Sequence, residues 1–291
     1  MKVVLFCGGL GMRIREAGES TPKPMVPVGD RPILWHVMKY YAHFGHKDFI
    51  LCLGYRADVI KNYFVNYSEL ISNDFVLRNG GRDVNVFNRD IDDWTITFVD
   101  TGASSNIGQR LRAVEKYLDG DQVFLANYSD NVTDFNLPEL VEAFHQQNKT
   151  AAFLCVRPSA SSHYVSIGEA GLVQEIKTLS DSDIWINGGY FVFRRSIFDY
   201  IKPGEELVHE PFRRLIAAKQ LMGHAYGGFW KSMDTFKEKQ ELEELYSKGM
   251  APWQLWKGQG NGQRVIARGA TSQRDTGKLD GRKRVAVSGK K

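Results

Sequence analysis

The residue types best suited to bind phosphate lie at the start of the chain, where residues 3–7 predict a buried parallel strand. The turn that follows this strand consists of Gly8, Gly9, Leu10, Gly11, Met12 and Arg13. Glycines here allow a sharp turn and let backbone N–H groups approach an anion closely. The planar guanidinium of Arg13 suits phosphate oxygens. Lys23 adds a second cation between Pro22 and Pro24, which we expect to hold it on an extended loop.

Two familiar phosphate-binding motifs are absent from this turn. A P-loop requires G-K-[ST] after the glycines, and no such triplet occurs in the sequence. A dinucleotide-binding fingerprint requires a third glycine at the position of Ile14 and an uninterrupted helix, which Pro22 and Pro24 oppose. An ordinary strand–helix turn with an incidental arginine is the alternative, and the prolines around Lys23 favour phosphate binding instead.

A single acidic residue, Asp130, follows a second apolar segment at residues 123–128. A carboxylate at the carboxyl end of a strand can bind Mg²⁺, which commonly takes one or two carboxylates together with substrate phosphates. The alternative is a turn or a helix N-cap, but Asn136, with Pro138 and Glu139 behind it, is the better cap for the next helix. Asp130 is therefore free for another role, and Mg²⁺ binding is a candidate for that role.

For Asp234 the same two roles are possible, metal ligand or helix N-cap, but here the sequence favours the cap. It follows an aromatic segment and stands just before residues 236–247, which predict a helix. Asp is strongly preferred at helix N-caps, so the spacing alone favours a capping role over a role in binding.

A pair of glycines interrupts residues 183–193, which otherwise predict one long strand. Glycine in a strand interior weakens the strand unless a ligand or another backbone must approach closely. The segment Asn187-Gly188-Gly189 is therefore a candidate for close contact with a ligand.

With Lys23 and the following Pro-Met-Val-Pro-Val-Gly included, the start of the chain resembles the sugar nucleotidylyltransferases. The resemblance is stronger to their glucose-1-phosphate cytidylyltransferase branch. It extends through the segments around Asp130, Asn187 and Asp234, and covers residues 1–257.

The resemblance implies a role for each segment. The glycine turn, Arg13 and Lys23 would hold a nucleoside triphosphate, while Asp130 and Asp234 would bind one Mg²⁺ from opposite sides. The residues implied around the nucleotide base are Gly108, Gln109 and Arg110. The residues implied for the sugar phosphate are Lys177, Asn187 and Gly188.

Four positions depart from the family pattern. Met12 stands where a hydroxyl residue is usual, and Ser129 and Asn131 flank Asp130 where relatives read G-D-G. Ile176 precedes the lysine that relatives place in E-K-P. These differences leave open a second interpretation, in which the chain is a regulatory relative that binds nucleotide sugars without making them.

The elements that must position these residues alternate between strand and helix. Strands are predicted at 3–7, 49–53, 94–99, 123–128 and 151–156, and helices at 32–44, 56–65, 107–118, 137–147, 210–219 and 236–247. The alternation predicts an α/β fold with a doubly wound, mostly parallel, Rossmann-like sheet, which binds ligands at the carboxyl ends of its strands. Residues 66–93 break the alternation and predict a small, partly irregular insertion that makes subunit contacts.

The composition is compatible with one nucleotidyltransferase domain at residues 1–257. A chain of 291 residues, 43% hydrophobic and 25% charged, can bury a large core. No apolar run approaches the roughly twenty residues of a membrane span, and the chain starts with a strand and not a signal peptide. The three cysteines, Cys7, Cys52 and Cys155, lie in apolar segments and predict reduced thiols in a cytoplasmic protein.

Residues 258–291 differ from the rest of the chain in charge and composition. They carry nine Lys/Arg and two acids, a net +7, together with seven glycines and no aromatic residue. Such a segment cannot bury enough apolar surface to order itself, which predicts a disordered tail. A nucleic-acid-binding tail is the alternative, but the aromatic residues that stack on bases are missing.

The sequence thus predicts an enzyme that transfers a nucleotidyl group from an NTP to a sugar 1-phosphate and releases pyrophosphate. On the resemblance, the NTP is CTP and the sugar phosphate is glucose 1-phosphate. The predicted catalytic residues are Arg13, Lys23 and Lys177, the predicted cofactor is Mg²⁺, and the predicted assembly is a homo-oligomer without a membrane or nucleic-acid partner. No covalent intermediate is required, because positioning and charge neutralisation can supply the catalysis.

Overall fold

An eight-stranded, mostly parallel sheet lies at the centre of the structure and confirms the predicted α/β class. The computed structural model describes residues 1–9, 21–158, 163–179 and 183–257. The strands in these ranges are β1 (Val3–Phe6), β2 (Pro27–Val28), β3 (Arg31–Pro32), β4 (Asp48–Leu53), β5 (Phe75–Arg78), β6 (Asp83–Val86), β7 (Thr95–Asp100), β8 (Val123–Tyr128), β9 (Asn131–Thr133), β10 (Ala151–Val156), β11 (His163–Ile167), β12 (Val173–Thr178), β13 (Ile186–Asn187), β14 (Phe191–Arg194), β15 (Leu221–Tyr226) and β16 (Trp230–Ser232). The α-helices are α1 (Ile33–His43), α2 (Ala57–Val65), α3 (Ile107–Val114), α4 (Leu137–Gln147), α5 (Glu210–Ala217) and α6 (Phe236–Ser247).

The order of strands places the start of the chain in the middle of the sheet. The path runs β13-β10-β14-β8-β1-β4-β7, and β15 pairs with β10. Strands β7, β4, β1 and β8 are mutually parallel, whereas β14 is antiparallel to β8. The carboxyl ends of the four parallel strands therefore meet along one edge, where a doubly wound sheet binds its ligands.

Alternating residues of β1 belong to two separate cores, which explains why the strand is apolar throughout. Val3 and Leu5 pack in the core that contains residues of α1, α2, α4 and α6. Val4 and Phe6 pack in the core that contains residues of α3 and α5. Helices thus cover both faces of the sheet, as the alternation of elements predicted.

The inserted segment at residues 66–93 is more regular than the sequence suggested. It contains two short 3₁₀ turns and the antiparallel hairpin β5–β6. Asp90 anchors it, because its carboxylate accepts hydrogen bonds from Lys39 of α1, Ser72 and Asn73. One face of the hairpin stays exposed and apolar, with Phe75, Leu77 and Val84 on it.

The predicted long strand at 183–193 consists of β13 and β14, which pair with the same strand, β10. The break between them is at Gly188 and Gly189, and Gly189 has a left-handed φ of 78°. A Cβ at Gly189 would lie 2.3 Å from Asn127 Oδ1, so both conformation and space require glycine.

Residues Met1–Trp256 form one compact unit. Its last turn is fixed by Trp253, whose buried indole Nε1–H donates to His36 Nδ1 at 3.3 Å. The predicted disordered tail, residues 258–291, lies outside the described residues. Among the described helices, none combines the length and the apolar character needed to span a membrane.

Candidate active site

Lys23 lies between two carboxylates, those of Asp130 and Asp234. Its ammonium forms an ion pair with Asp130 Oδ2 and donates to Asp234 Oδ1 at 2.6 Å. The lysine side chain is 13% exposed, so the group is enclosed although both aspartates still reach solvent. The structure therefore brings together one predicted phosphate-binding cation and both predicted metal ligands.

A single 3₁₀ turn, Lys23–Met25, sets the position of the lysine, which corrects the expected extended loop. Met25 N–H donates to Pro22 O at 2.8 Å, and Val26 N–H donates to Lys23 O at 3.1 Å. Proline fits the first positions of a helical turn, since its fixed φ is already helical and its missing N–H is not needed there. Pro24 and Met25 are buried, which fixes the backbone from which the lysine side chain extends.

The surroundings of Lys23 favour its charged form. Burial lowers the pKa of the lysine, but the charges and hydrogen bonds of Asp130 and Asp234 more than offset this, and the net shift in pKa is upward. The group is an ammonium ion at neutral pH.

Pairing between two short strands places the aspartates side by side. Asp130 directly precedes β9, Asp234 comes two residues after β16, and these strands pair antiparallel. The buried Met233 donates its N–H to Asp130 O at 2.9 Å and continues the ladder by one bond. Ser129 Oγ donates to Phe6 O at 2.8 Å and ties the loop to the end of β1.

The N-cap of α6 is Thr235, so the capping interpretation of Asp234 is wrong. Thr235 Oγ1 accepts from Glu238 N–H, and Glu238 Oε2 accepts from the N–H groups of Thr235 and Asp234. This capping box provides acceptors for N–H groups at the start of α6 without use of the Asp234 carboxylate. That carboxylate instead accepts a hydrogen bond from Lys23.

The side chain of Arg110 holds the first residue of the glycine turn by a hydrogen bond. Gly8 and Gly9 follow β1, whereas Leu10, Gly11 and Arg13 lie outside the described residues. The buried guanidinium of Arg110 donates to Gly8 O at 2.9 Å, to Leu53 O at 3.1 Å and to Thr101 Oγ1 at 2.7 Å. It thereby joins the ends of β1, β4 and β7, and burial lowers its pKa.

The two residues before Arg110 have structural contacts of their own. A Cβ at Gly108 would lie 2.2 Å from Glu205 O, so only glycine fits there. Gln109 Oε1 accepts from Asn106 N–H at 2.9 Å and completes the capping box of α3. These contacts account for both residue types, and their contact with a base remains a prediction.

Of the residues predicted for the sugar phosphate, Asn187 and Gly188 lie next to the end of β8. Asn187 Nδ2 donates to Tyr128 Oη at 3.2 Å, and Gly188 O accepts from Trp230 Nε1 at 2.9 Å. Lys177 lies on the hairpin β11–β12, half exposed, where it forms an ion pair with Glu175.

A buried amide pair, Asn127 and Asn131, was not identified from the sequence. Asn127 Nδ2 donates to Asn131 Oδ1 at 3.2 Å, and Asn127 Oδ1 accepts from Tyr190 N–H at 2.9 Å. Asn131 Nδ2 donates to Gly188 O at 3.4 Å, so the pair joins the Asp130 loop to the glycine break. The available signal was an amide at the end of an apolar strand, with a second amide four residues later.

The two aspartates fit a Mg²⁺ site that is completed by substrate. Within the described ranges no three His, Cys, Asp or Glu side chains form a group that could hold a metal. Mg²⁺ commonly takes only one or two carboxylates with waters and phosphates, so a third protein ligand is not required. Both carboxylates converge on one cation, the ammonium of Lys23, which shows that they can reach a common centre.

Comparison with known proteins establishes the family. The family model described as "Nucleotidyl transferase" matches residues 2–244. The chain therefore belongs to the nucleotidyl transferase family, which confirms the resemblance drawn from its motifs.

Individual relatives span most of the chain. It is 38% identical to the glucose-1-phosphate cytidylyltransferase of Salmonella typhi over 88% of this chain and 100% of that protein. It is 34% identical to the probable glucose-1-phosphate cytidylyltransferase of Bacillus subtilis (strain 168), with the same coverage of both chains. A solved structure of UDP-glucose pyrophosphorylase complexed with UDP-glucose is similar in fold, with a TM-score of 0.63 and 14% identity over 85% of this chain and 98% of that chain. HddC from Yersinia pseudotuberculosis gives a TM-score of 0.58 and 17% identity over 84% and 99% of the two chains.

Proposed function

We propose that the chain transfers a cytidylyl group from CTP to glucose 1-phosphate and releases pyrophosphate. The observation that carries the proposal is the convergence of Lys23, Asp130 and Asp234 at the carboxyl edge of the sheet. Cytidylyltransferase relatives that match this chain over their full length support the choice of nucleotide and sugar.

In this reaction an oxygen of the sugar phosphate forms a bond to the α-phosphorus of the triphosphate. The bond from that phosphorus to the bridging oxygen breaks, and pyrophosphate leaves. The attacking oxygen is already anionic at neutral pH, so the enzyme needs no general base. Positioning of the two phosphates and neutralisation of their charge then account for the catalysis.

The residues assigned to these tasks come from different parts of the fold. The N–H groups of the glycine turn and Arg13 would bind the triphosphate, and Lys23 would contact the reacting phosphates. Asn187, Gly188 and Lys177 would position the sugar phosphate. Arg110 acts indirectly, because it holds Gly8 O and so the start of the turn.

Asp130 and Asp234 would hold the Mg²⁺ cofactor. When bound, the ion supplies positive charge that polarises the α-phosphate. The aspartates contribute by holding that charge at a fixed place between the end of β8 and the start of α6.

The test is pyrophosphate release for a matrix of the four NTPs against several sugar 1-phosphates. We expect CTP with glucose 1-phosphate to give the highest kcat/KM. Asp130→Asn and Asp234→Asn should each reduce turnover on the order of 100-fold or more, as loss of a fixed electrostatic contact does. Asp121→Asn is the control, since Asp121 pairs with Lys2 at the amino ends of β1 and β8, away from the carboxyl ends that form the site.

Two outcomes would contradict the proposal. Tight binding of a CDP-sugar without pyrophosphate release from any pair would make the chain a regulatory relative. Full activity of either aspartate variant at saturating Mg²⁺ would remove that residue from the metal site.

We further infer that the enzyme is a homo-oligomer in the cytoplasm. The exposed apolar face of β5–β6 supports an interface, because such faces mark contact sites. The three cysteines are free thiols, as is usual in a reducing compartment.

A further inference from the structure

The ammonium of Lys23 already binds the two carboxylates that would hold a metal ion. One nitrogen contacts Asp130 Oδ2 and Asp234 Oδ1 together. A Mg²⁺ ion bound to the same two oxygens would lie about 2 Å from each. That position is within a few ångströms of the ammonium charge, which repels a second cation and competes with it for the same two oxygens.

We propose that Lys23 is the resident cation of the Asp130–Asp234 pair and excludes Mg²⁺ from it until a nucleoside triphosphate binds. This inference rests on the proposed function, since it assumes that the two aspartates are the metal ligands. It adds an order of events, in which the metal enters with the triphosphate and not before it.

The charges of the site explain why the triphosphate is needed. Two carboxylates and one ammonium leave a single negative charge, which attracts a divalent ion weakly while the ammonium stays in place. A bound triphosphate brings several negative charges and offers the ammonium new acceptors. Lysine suits such an exchange, because its ammonium is a compact charge on a flexible four-carbon stem.

The backbone around Lys23 is consistent with movement of the side chain alone. The 3₁₀ turn and the buried Pro24 and Met25 hold the main chain in place. The ammonium can therefore transfer from the carboxylates to a phosphate by rotation about side-chain bonds, without rearrangement of the loop.

The experiment measures Mn²⁺ binding to the full chain without nucleotide, by the electron paramagnetic resonance signal of free Mn²⁺. Wild type should bind weakly, and Lys23→Met should bind at least about tenfold more tightly, because removal of the ammonium leaves two unopposed carboxylates. Lys231→Met is the matched control, since Lys231 is 16% exposed and pairs with Glu241 outside the site. That variant should bind as weakly as wild type, and Asp130→Asn added to Lys23→Met should abolish the gain.

Stability gives a second measurement. Mn²⁺ should raise the Tm of Lys23→Met more than that of wild type, because a ligand stabilises the form that binds it. If Lys23→Met does not fold without metal, Lys23→Gln removes the charge and keeps a hydrogen-bond donor.

Equal Mn²⁺ affinity in wild type and in the Lys23 variants would overturn the proposal, whether that affinity is high or low. Failure of the proposed function would be seen elsewhere, as the absence of pyrophosphate release by wild type with Mg²⁺. The two failures are therefore distinguishable.

Discussion

At the residue scale, the side chain of Arg110 determines which residue can occupy position 8. A Cβ added to Gly8 would lie 1.9 Å from Arg110 Nη1, well inside contact distance. We expect Gly8→Ala to destabilise the fold by about 1–3 kcal/mol, the usual cost of overpacking a well-packed site. Thermal unfolding followed by circular dichroism measures this as a lower Tm.

Gly9→Ala provides the control for that experiment. A Cβ at Gly9 would meet no atom of the described residues within 4 Å, so this variant should keep the Tm of wild type. Equal stability of the two variants would show that Arg110 moves aside without cost.

His46 gives a prediction about acid stability. Burial lowers its pKa to about 4, from 6.5 for an ordinary histidine. The unfolded chain therefore binds a proton on His46 at a higher pH than the folded chain, and the stabilisation present above pH 6.5 is lost as the pH falls towards 4. Over this pH range the Tm of His46→Asn should fall less than the Tm of wild type. Substitution of the exposed His43 by Asn should give the same decrease in Tm as wild type.

Some residues of the site could be predicted from their own type and their sequence neighbours. Others could be predicted only with knowledge of their contact partners in the fold. Lys23 and Asp130 are a cation beside prolines and a carboxylate after a strand, and both lie in the site. The supporting role of Arg110 could not be predicted from spacing, because its acceptor Gly8 lies 102 residues away in sequence. The capping role of Thr235 was available from its spacing to Glu238, but the aspartate before it was the stronger cap by propensity.

At the scale of elements, the hairpin β5–β6 forms a two-stranded sheet of its own, apart from the central sheet. It was expected to be partly irregular, because its polar composition hides the pairing of Phe75 with Val86 and of Leu77 with Val84. The central parallel strands β1 and β4 were predicted more accurately, since burial on both faces makes each of them a nearly continuous apolar run.

If the hairpin is an interface, a charge on its apolar face should separate the subunits. We expect Leu77→Lys to lower the molecular mass in solution, measured by analytical ultracentrifugation, because a lysine cannot be buried there without a partner. Leu77 is 57% exposed, and Ile216 on α5 is 62% exposed, so Ile216→Lys is a matched control that should leave the mass unchanged. An unchanged mass for Leu77→Lys would exclude this face from the interface.

At the scale of the whole molecule, the limit of the folded domain can be tested by two truncations. Removal of residues 258–291 should leave Tm and turnover unchanged, because the composition of that segment predicts that it adds no core. Removal from Ala251 onwards should destabilise by about 3–5 kcal/mol, because it deletes the buried Trp253 and its contact with His36. A large loss of Tm in the first truncation would show that the tail packs on the domain.

The contact between Lys23 and Asp234 joins positions 211 residues apart in the chain. Contacts so distant in sequence form late, since the long loop must close before they contribute any stability. During synthesis, a chain that has already formed β1, β4 and β8 still lacks one of the two carboxylates. If Asp234 is the metal ligand proposed above, catalytic competence comes only with β16 and α6, and recovery of activity during refolding reports their docking and not the assembly of the sheet.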